Sequence, residues 1–204
     1  MKKIIKDRKF LFVAGLVVGA LVILVIRLAT YKLPTVHYHA NFDVYINGQK
    51  ELFKGPTYFE EESACKEGPN ITPADRAHMH DGIGDVIHVH DRAVTWEQFF
   101  NNIGWSIGGD FLETRDTLYQ SNGDNQLHIV LNGQNLTGLG SIADRTIGDK
   151  DRLLVDFGTT SQTALQKEFS AVPYTAAKYD TGSDPKTCTG QQPTTFHDRL
   201  THLF

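Results

Sequence analysis

The chain has 204 residues, enough for one ordinary domain with appendages, and 40% of them are hydrophobic, which suffices for a packed core. Five basic residues and one acidic residue precede residue 10, so this first arm carries a net charge of +4. Subtracting this +4 from the net −4 of the whole chain leaves −8 for the remainder. An acidic domain argues against a nucleic-acid partner and favours the attraction of cations.

An unbroken apolar run, FLFVAGLVVGALVILVI, occupies residues 10–26 and is flanked by Lys9 and Arg27. Its length is close to the roughly 20 residues that a membrane-spanning helix needs. A cleaved signal peptide would require small residues after the run, whereas Arg-Leu-Ala-Thr-Tyr-Lys follows, so an uncleaved anchor over residues 10–30 is favoured. By the positive-inside rule, arm 1–9 is cytoplasmic and the chain beyond the anchor lies outside.

The sequence beyond the anchor predicts a folded domain at residues 31–158 and a Thr-, Gly- and Pro-rich tail at 159–204. An alternating apolar strand ends at Asn47-Gly48, and residues 127–134 repeat this pattern around Asn132-Gly133. Asn-Gly pairs supply the positive φ angles of a type I′ turn. Two β-hairpins are therefore expected.

One helix is predicted after residue 95, because Thr95 and Gln98 match a capping box. The apolar residues that follow recur at helical spacing, which indicates packing onto a sheet. A weak strand is expected at residues 111–120 and a closing strand at 152–157. The predicted fold class is α+β: a mostly antiparallel sheet with one packed amphipathic helix, preceded by a single transmembrane helix. The Ile-Gly-Asp-x-Asp-x-Leu-x-Val rhythm of residues 147–155 adds a β-grasp-like arrangement as one option.

Three His-x-His pairs give the domain its main chemical signal. Side chains two apart on a strand point to the same face, so each pair presents two imidazoles side by side. Neutral imidazole is the commonest ligand of transition metals, whereas a polar strand surface is the simpler explanation of any single pair. Six of the nine histidines follow this spacing, which favours a metal site. The predicted ligands are His37, His39, His78, His80, His88 and His90.

The second and third pairs flank an Asp- and Gly-rich segment that reads as the turn of a β-hairpin. If even-numbered residues lie opposite each other in this hairpin, its four imidazoles form one patch. A register shifted by one residue would place the pairs on opposite faces.

Zinc and copper are the favoured metals, and iron, nickel and manganese also fit imidazole ligands completed by Asp81, Asp85 or Asp91. Blue copper is disfavoured because that site needs a thiolate beside the histidines. The two cysteines, Cys65 and Cys188, are better explained as one disulfide formed in an oxidising compartment. This bond would attach the tail to the domain.

The motifs resemble those of a family of secreted or membrane-anchored domains in archaea and candidate-phyla bacteria. They comprise His-x-His with Asp-Val-x-Ile-Asn-Gly at residues 37–48, His-x-His-Asp-x-x-Gly-x-x-Ile-His-Val-x at 78–90, and Thr-x-x-Gln-Phe-Phe at 95–100. The resemblance implies that the histidines act as a unit, and it names no activity. The family pattern has Glu where this chain has His90, and either residue can bind a metal.

Three functions remain open from the sequence. The favoured one is an anchored extracytoplasmic domain that binds a metal for capture, buffering or structural support. A metal-dependent enzyme with an open coordination position is the second. A cell-envelope adhesion or complex subunit without a metal is the third. The sequence does not identify protein partners, and the coordination geometry distinguishes the three.

Overall fold

The computed structural model of the chain describes residues 8–32, 36–59, 72–136, 142–180 and 194–202. The chain forms two compact units, one composed of Met1–Pro34 with Pro193–Phe204 and the other of Thr35–Gln192. The helices are α1 (Arg8–Thr30), α2 (Pro73–Arg76), α3 (Trp96–Asn102), α4 (Gln162–Ala171) and α5 (Phe196–Thr201). The strands are β1 (Tyr38–Ile46), β2 (Gln49–Lys50), β3 (Ala77–His78), β4 (Val86–Val89), β5 (Ser106–Ile107), β6 (Phe111–Glu113), β7 (Leu118–Gln120), β8 (Gln126–Leu131), β9 (Gln134–Leu136) and β10 (Arg152–Gly158).

The first unit contains α1 and α5. Helix α1 has 23 residues and is apolar enough to cross a membrane. The guanidinium of Arg199 in α5 donates a hydrogen bond to the backbone carbonyl of Leu28 over 3.0 Å. The last carbonyls of a helix lack partners within the helix, so this contact satisfies one of them and ties α5 to the end of α1.

The second unit is built on a seven-stranded sheet in the order β3-β4-β1-β10-β8-β9, with β2 also paired to β1. Strands β1 and β10 are parallel neighbours at its centre. The other pairings in the described part of this sheet are antiparallel. This arrangement confirms the predicted α+β class with a mostly antiparallel sheet.

Both predicted Asn-Gly hairpins are present, joining β1 to β2 and β8 to β9. Asn47 and Gly48 have φ angles of 52° and 74°, and Asn132 and Gly133 have φ angles of 53° and 81°. Positive φ at both central residues is what a type I′ turn requires. The local sequence therefore determines these two turns.

One face of the sheet carries the main hydrophobic core, against which α3 packs. Thr95 and Gln98 form the predicted capping box, and Phe99 and Phe100 of α3 are fully buried. The ring of Phe99 meets that of Phe42 in β1 at a centroid distance of 5.0 Å. The aromatic side chains of α3 are thus core residues, as its apolar spacing predicted.

The opposite face is covered in part by α4. Leu165 of α4 and Val172 just beyond it form a second buried cluster with Leu154 of β10. The compact unit therefore extends past residue 158, where the sequence placed the start of a tail. The difference arises because α4 has few apolar residues, so its contact with the sheet leaves only a weak periodic signal.

The expected strand at residues 111–120 is two strands, β6 and β7, in a separate three-stranded sheet with β5. Between them Thr114 accepts a hydrogen bond at its hydroxyl from the backbone N–H of Thr117 over 3.1 Å. Threonine side chains that bond to nearby backbone groups favour turns, which explains the break in the strand. The short helix α2 begins at a capping box formed by Thr72 and Asp75.

Cys65 and Cys188 lie outside the described residues, as does the acidic run at residues 60–62. The disulfide between the two cysteines therefore stays a prediction.

Candidate metal centre

Three adjacent strands bring the three histidine pairs together. His78 of β3 lies directly opposite His88 of β4, and His88 lies directly opposite His39 of β1. The three imidazoles therefore stand in one row across the sheet. Even-numbered residues face each other in the β3–β4 pair, which is the register that unites the four hairpin histidines on one face.

The two-residue period of the strands adds the other three histidines to the same face. The ring of His90 stacks between those of His37 and His78, at centroid distances of 4.7 Å and 5.0 Å. The ring of His80 lies 3.7 Å from that of His88. All six predicted ligands are thus brought into one cluster.

The cluster lies on the face opposite α3 and is shielded from solvent. Five of its members are each at most 5% exposed: His39, His78, His80, His88 and His90. His37 is partly exposed. A segment formed by residues 173–180, here called the strap, crosses this face, and the ring of Tyr179 lies 5.6 Å from that of His39 and 5.7 Å from that of His88.

Asn41 fastens the strap to β1, two residues from His39 and on the same face of that strand. Its amide oxygen accepts hydrogen bonds from the backbone N–H groups of Thr175 and Ala176, both over 2.9 Å. Its amide nitrogen donates to the Thr175 hydroxyl over 2.9 Å and to the Asp85 carbonyl over 3.0 Å. A fully bonded buried amide of this kind fixes where the strap runs.

Two histidines have their Nδ1 atoms held by carboxylates. Nδ1 of His39 lies 2.8 Å from Oδ1 of Asp180, and Nδ1 of His80 lies 2.9 Å from Oδ2 of Asp81. An ionised carboxylate only accepts hydrogen bonds, so these contacts place the ring proton on Nδ1 and leave the lone pair on Nε2. Carboxylates orient metal-binding imidazoles in this way, with Nε2 towards the ion.

The two Nε2 atoms converge on one nitrogen of a third ring. Nε2 of His39 lies 3.0 Å from Nδ1 of His88, and Nε2 of His80 lies 3.1 Å from the same atom. Nδ1 of His88 carries at most one proton, so it cannot donate to both lone pairs. Ligand nitrogens bound to one ion at ~2.0–2.1 Å lie roughly 3 Å apart. A cation bound between these three nitrogens would therefore replace an unmatched contact between lone pairs with metal–nitrogen bonds.

Further imidazole nitrogens in the cluster are buried and lack a hydrogen-bond partner in the described part of the chain. They are Nε2 of His78, Nε2 of His88 and both ring nitrogens of His90. His78 is oriented by its other nitrogen, Nδ1, which lies 2.8 Å from the carbonyl of Ala74. Leaving a buried polar atom unbonded costs about 1–3 kcal/mol, so these atoms are the ones a bound ion would satisfy.

The surroundings keep these imidazoles neutral. Burial, followed by the neighbouring histidines, lowers the pKa of His78 to about 4 against a usual 6.5. Burial and the other rings also lower the pKa of His88 and that of His90. Metals bind the neutral ring, so these three imidazoles are in the protonation state that metal binding requires at neutral pH.

His37, His39 and His88 each offer a ring nitrogen, and these atoms all lie within 4.8 Å of one another, so the group could hold a metal ion. Of the three carboxylates suggested as additional ligands, Asp81 contacts His80. Asp91 instead pairs with Arg76 over 2.7 Å. The structure therefore gives Asp81 an orienting contact and uses Asp91 outside the cluster.

The strap residues Tyr179 and Asp180 were missed by sequence reasoning. Asp180 is 141 positions from His39, its partner in the cluster. A lone Asp in a Thr- and Gly-rich stretch has no spacing that would mark it. Only the docking of the strap through Asn41 reveals its place beside the histidines.

No family model, no curated protein and no solved structure matches the chain. The β-grasp-like arrangement thus stays an expectation, and function has to be argued from the geometry of the cluster.

Proposed function

We propose that this protein is a membrane-anchored, extracytoplasmic domain that binds a divalent transition metal through its histidine cluster. The observation that carries the proposal is the convergence of Nε2 of His39 and Nε2 of His80 on Nδ1 of His88. Carboxylates hold the far nitrogens of the first two rings, which is the arrangement expected around a bound metal. The full proposed ligand set is His37, His39, His78, His80, His88 and His90.

The donors of the cluster are imidazole nitrogens, which suit zinc and copper best, with iron and nickel as further candidates and manganese less favoured. Calcium and magnesium require oxygen ligands, so an all-nitrogen cluster selects against them. The acidic charge of the chain beyond its basic arm would raise the local concentration of cations.

Because the site is covered, capture, buffering or structural use of the metal is favoured over catalysis. Five of the six rings are buried and the strap lies across them, with Tyr179 over His39 and His88. A metal-dependent enzyme would need an open coordination position facing a cleft. Opening of the strap would be required for that alternative. A cell-envelope adhesion or complex subunit would not require six converging imidazoles.

The location is proposed from the first unit. Helix α1 has the length and composition to cross a membrane. The basic arm before it favours a cytoplasmic N-terminus by the positive-inside rule, which places the histidine domain outside. Membership of the family of His-x-His domains that the motifs resemble is part of the same proposal.

The test is metal analysis of the full chain, purified in detergent micelles without a His tag or added metal, followed by titration with Zn, Cu, Ni and Fe ions. His80→Ala should weaken binding by more than the roughly 10–100-fold seen for loss of an outer-shell partner. His128→Ala is the matched control, because His128 lies on β8 directly opposite Asp156 of β10, outside the cluster. Equal effects of the two substitutions, or no binding tighter than about millimolar, would overturn the proposal.

A further inference from the structure

We infer that the cluster holds two metal ions, joined by the imidazole of His88, which binds one ion at each ring nitrogen. The inference rests on the proposed function and extends it from one ion to a pair. It follows from the number of histidines, from their spread across the sheet and from the two different surroundings of the His88 nitrogens.

The cluster has more donors than one ion uses, and they are spread too widely for one ion. Zinc sites in proteins use three or four protein ligands, and bonds of ~2.0–2.1 Å keep all donors within roughly 4 Å of each other. His78 and His39 lie on strands separated by β4, so their backbones are about 10 Å apart. His88 lies between them, opposite both.

Nδ1 of His88 faces the first half of the cluster. It lies 3.0 Å from Nε2 of His39 and 3.1 Å from Nε2 of His80. The other nitrogens of those two rings contact Asp180 and Asp81. The first ion would therefore take these two Nε2 atoms together with Nδ1 of His88. His37, whose ring nitrogen lies within 4.8 Å of those of His39 and His88, would be its fourth ligand.

Nε2 of His88 is buried, lacks a partner in the described part of the chain and defines the second half. Nε2 of His78 and both nitrogens of His90 are likewise buried and lack a partner in the described part of the chain. The ring centroids of His78 and His90 are 5.0 Å apart. The contact of His78 Nδ1 with the Ala74 carbonyl leaves Nε2 as the donor. The second ion would take nitrogens of His78 and His90 with Nε2 of His88.

Bridging changes the protonation of one ring only. Neutral His88 has one N–H; binding of an ion at each nitrogen breaks that bond, releases the proton to solvent and forms two metal–nitrogen bonds. No electron is transferred. Two nearby cations lower the pKa of a bound group strongly, which makes this deprotonation favourable. Bonds of ~2.0–2.1 Å at the two nitrogens of one ring place the ions roughly 6 Å apart.

The experiment uses the full chain in detergent, loaded with Cu²⁺ and freed of excess metal. Elemental analysis should give two copper ions per chain. Electron paramagnetic resonance should show a coupled Cu²⁺ pair, with less signal than two isolated ions would give. His90→Ala and His39→Ala should each reduce the content to one ion and produce the full signal of an isolated Cu²⁺. His128→Ala should retain the coupled pair.

The outcomes separate the two proposals. One copper per chain in the unmodified protein, unchanged by His90→Ala, would overturn the pair while leaving the metal-binding function intact. Two uncoupled ions, both retained in His88→Ala, would overturn the bridge. Absence of tight copper binding would remove the proposed function itself. The signal of the unmodified chain decides the bridge without any variant, and His90→Asn provides a smaller change should His90→Ala fail to fold.

Discussion

Asp180 joins the strap to the histidine cluster through His39, whose Nδ1 lies 2.8 Å from Oδ1 of the carboxylate. The second oxygen of Asp180 pairs with the ammonium of Lys150 over 2.9 Å. Burial acts to raise the pKa of Asp180, but the hydrogen bonds from His39 and Lys150 outweigh it and hold that pKa below its usual value. The carboxylate therefore stays ionised and fixes the ring of His39.

Asp180→Asn should weaken metal binding by about 10–100-fold, because the amide cannot hold His39 in the same tautomer and orientation. Titration of the metal-free protein with Zn²⁺ in competition with a chelator measures the change. Asp116→Asn, at an exposed turn, is the matched control and should bind as the unmodified protein does. Identical affinities of the two variants would show that Asp180 has no orienting role.

Asn41→Ala should release the strap from β1. The substitution removes the partner of the buried backbone N–H of Ala176 and of the partly buried N–H of Thr175, so we expect a loss of about 1–3 kcal/mol in the free energy of unfolding. Metal should also dissociate faster, because the cover over the histidines is loosened. Urea unfolding and stopped-flow chelation measure the two effects. Asn135→Ala, at an exposed strand position, should change neither.

Local signals predicted much of the fold and most of the cluster. The Asn-Gly turns, the capping box of α3 and the His-x-His spacing each depend on a few neighbouring residues. The hairpin between His80 and Val86 needs only a short turn, so the facing of His78 and His88 follows from local register. The pairing of β1 with β4 then places His39 directly opposite His88 of this hairpin.

The features that the sequence did not predict depend on packing between segments that are far apart in the chain. The parallel pairing of β1 with β10 joins segments more than 100 positions apart, and no periodicity in either segment specifies it. Docking of α4 depends on the apolar surface of β8 and β10, where Leu154 meets Leu165. The position of Asp180 depends on the docking of α4 and on the placement of β1, because the strap follows α4 and is held by Asn41 of β1.

The membrane orientation is tested by protease added to intact cells. Because the basic arm favours a cytoplasmic N-terminus, most of the chain should be cleaved from the cell surface. An antibody to the last residues follows the released part, and a cytoplasmic protein serves as the control for lysis. Complete protection of the chain in sealed cells, with digestion after permeabilisation, would show that the domain lies on the cytoplasmic side.

Cys65 and Cys188 are expected to form a disulfide, because an extracytoplasmic pair of cysteines is usually oxidised. The closed loop is long, and in the chain-entropy model the bond would contribute about 4 kcal/mol to stability. Alkylation of the unfolded chain without reductant should label neither thiol, whereas labelling after reduction should modify both. Labelling of both thiols before reduction would contradict the disulfide.

The pH dependence of stability should reveal a pair of carboxyl groups outside the histidine cluster, where the partly buried Glu168 of α4 faces the buried Asp156 of β10. Burial, and then the charge of Asp156, raises the pKa of Glu168 to about 7 from a usual 4.5. Asp156 is 0% exposed, and burial raises its pKa too, against the opposing effects of Thr160 and His128. Helix α4 therefore docks most favourably when one of the two carboxyls is protonated.

The folded protein binds more protons than the unfolded chain between pH 4.5 and about 7 at Glu168. Its contribution to stability is therefore fully present below pH 4.5 and is lost as pH rises through about 7. Glu168→Gln removes the ionisable carboxyl and with it this loss of stability. Near pH 4.5 the metal-free variant should be no more stable than the unmodified protein. By pH 8 the variant should be the more stable of the two. Melting temperatures across this range measure the difference. Glu113→Gln, at an exposed strand position, should follow the unmodified protein at every pH. Parallel curves for Glu168→Gln and the unmodified chain would show that Glu168 ionises as freely in the folded protein as in the unfolded one.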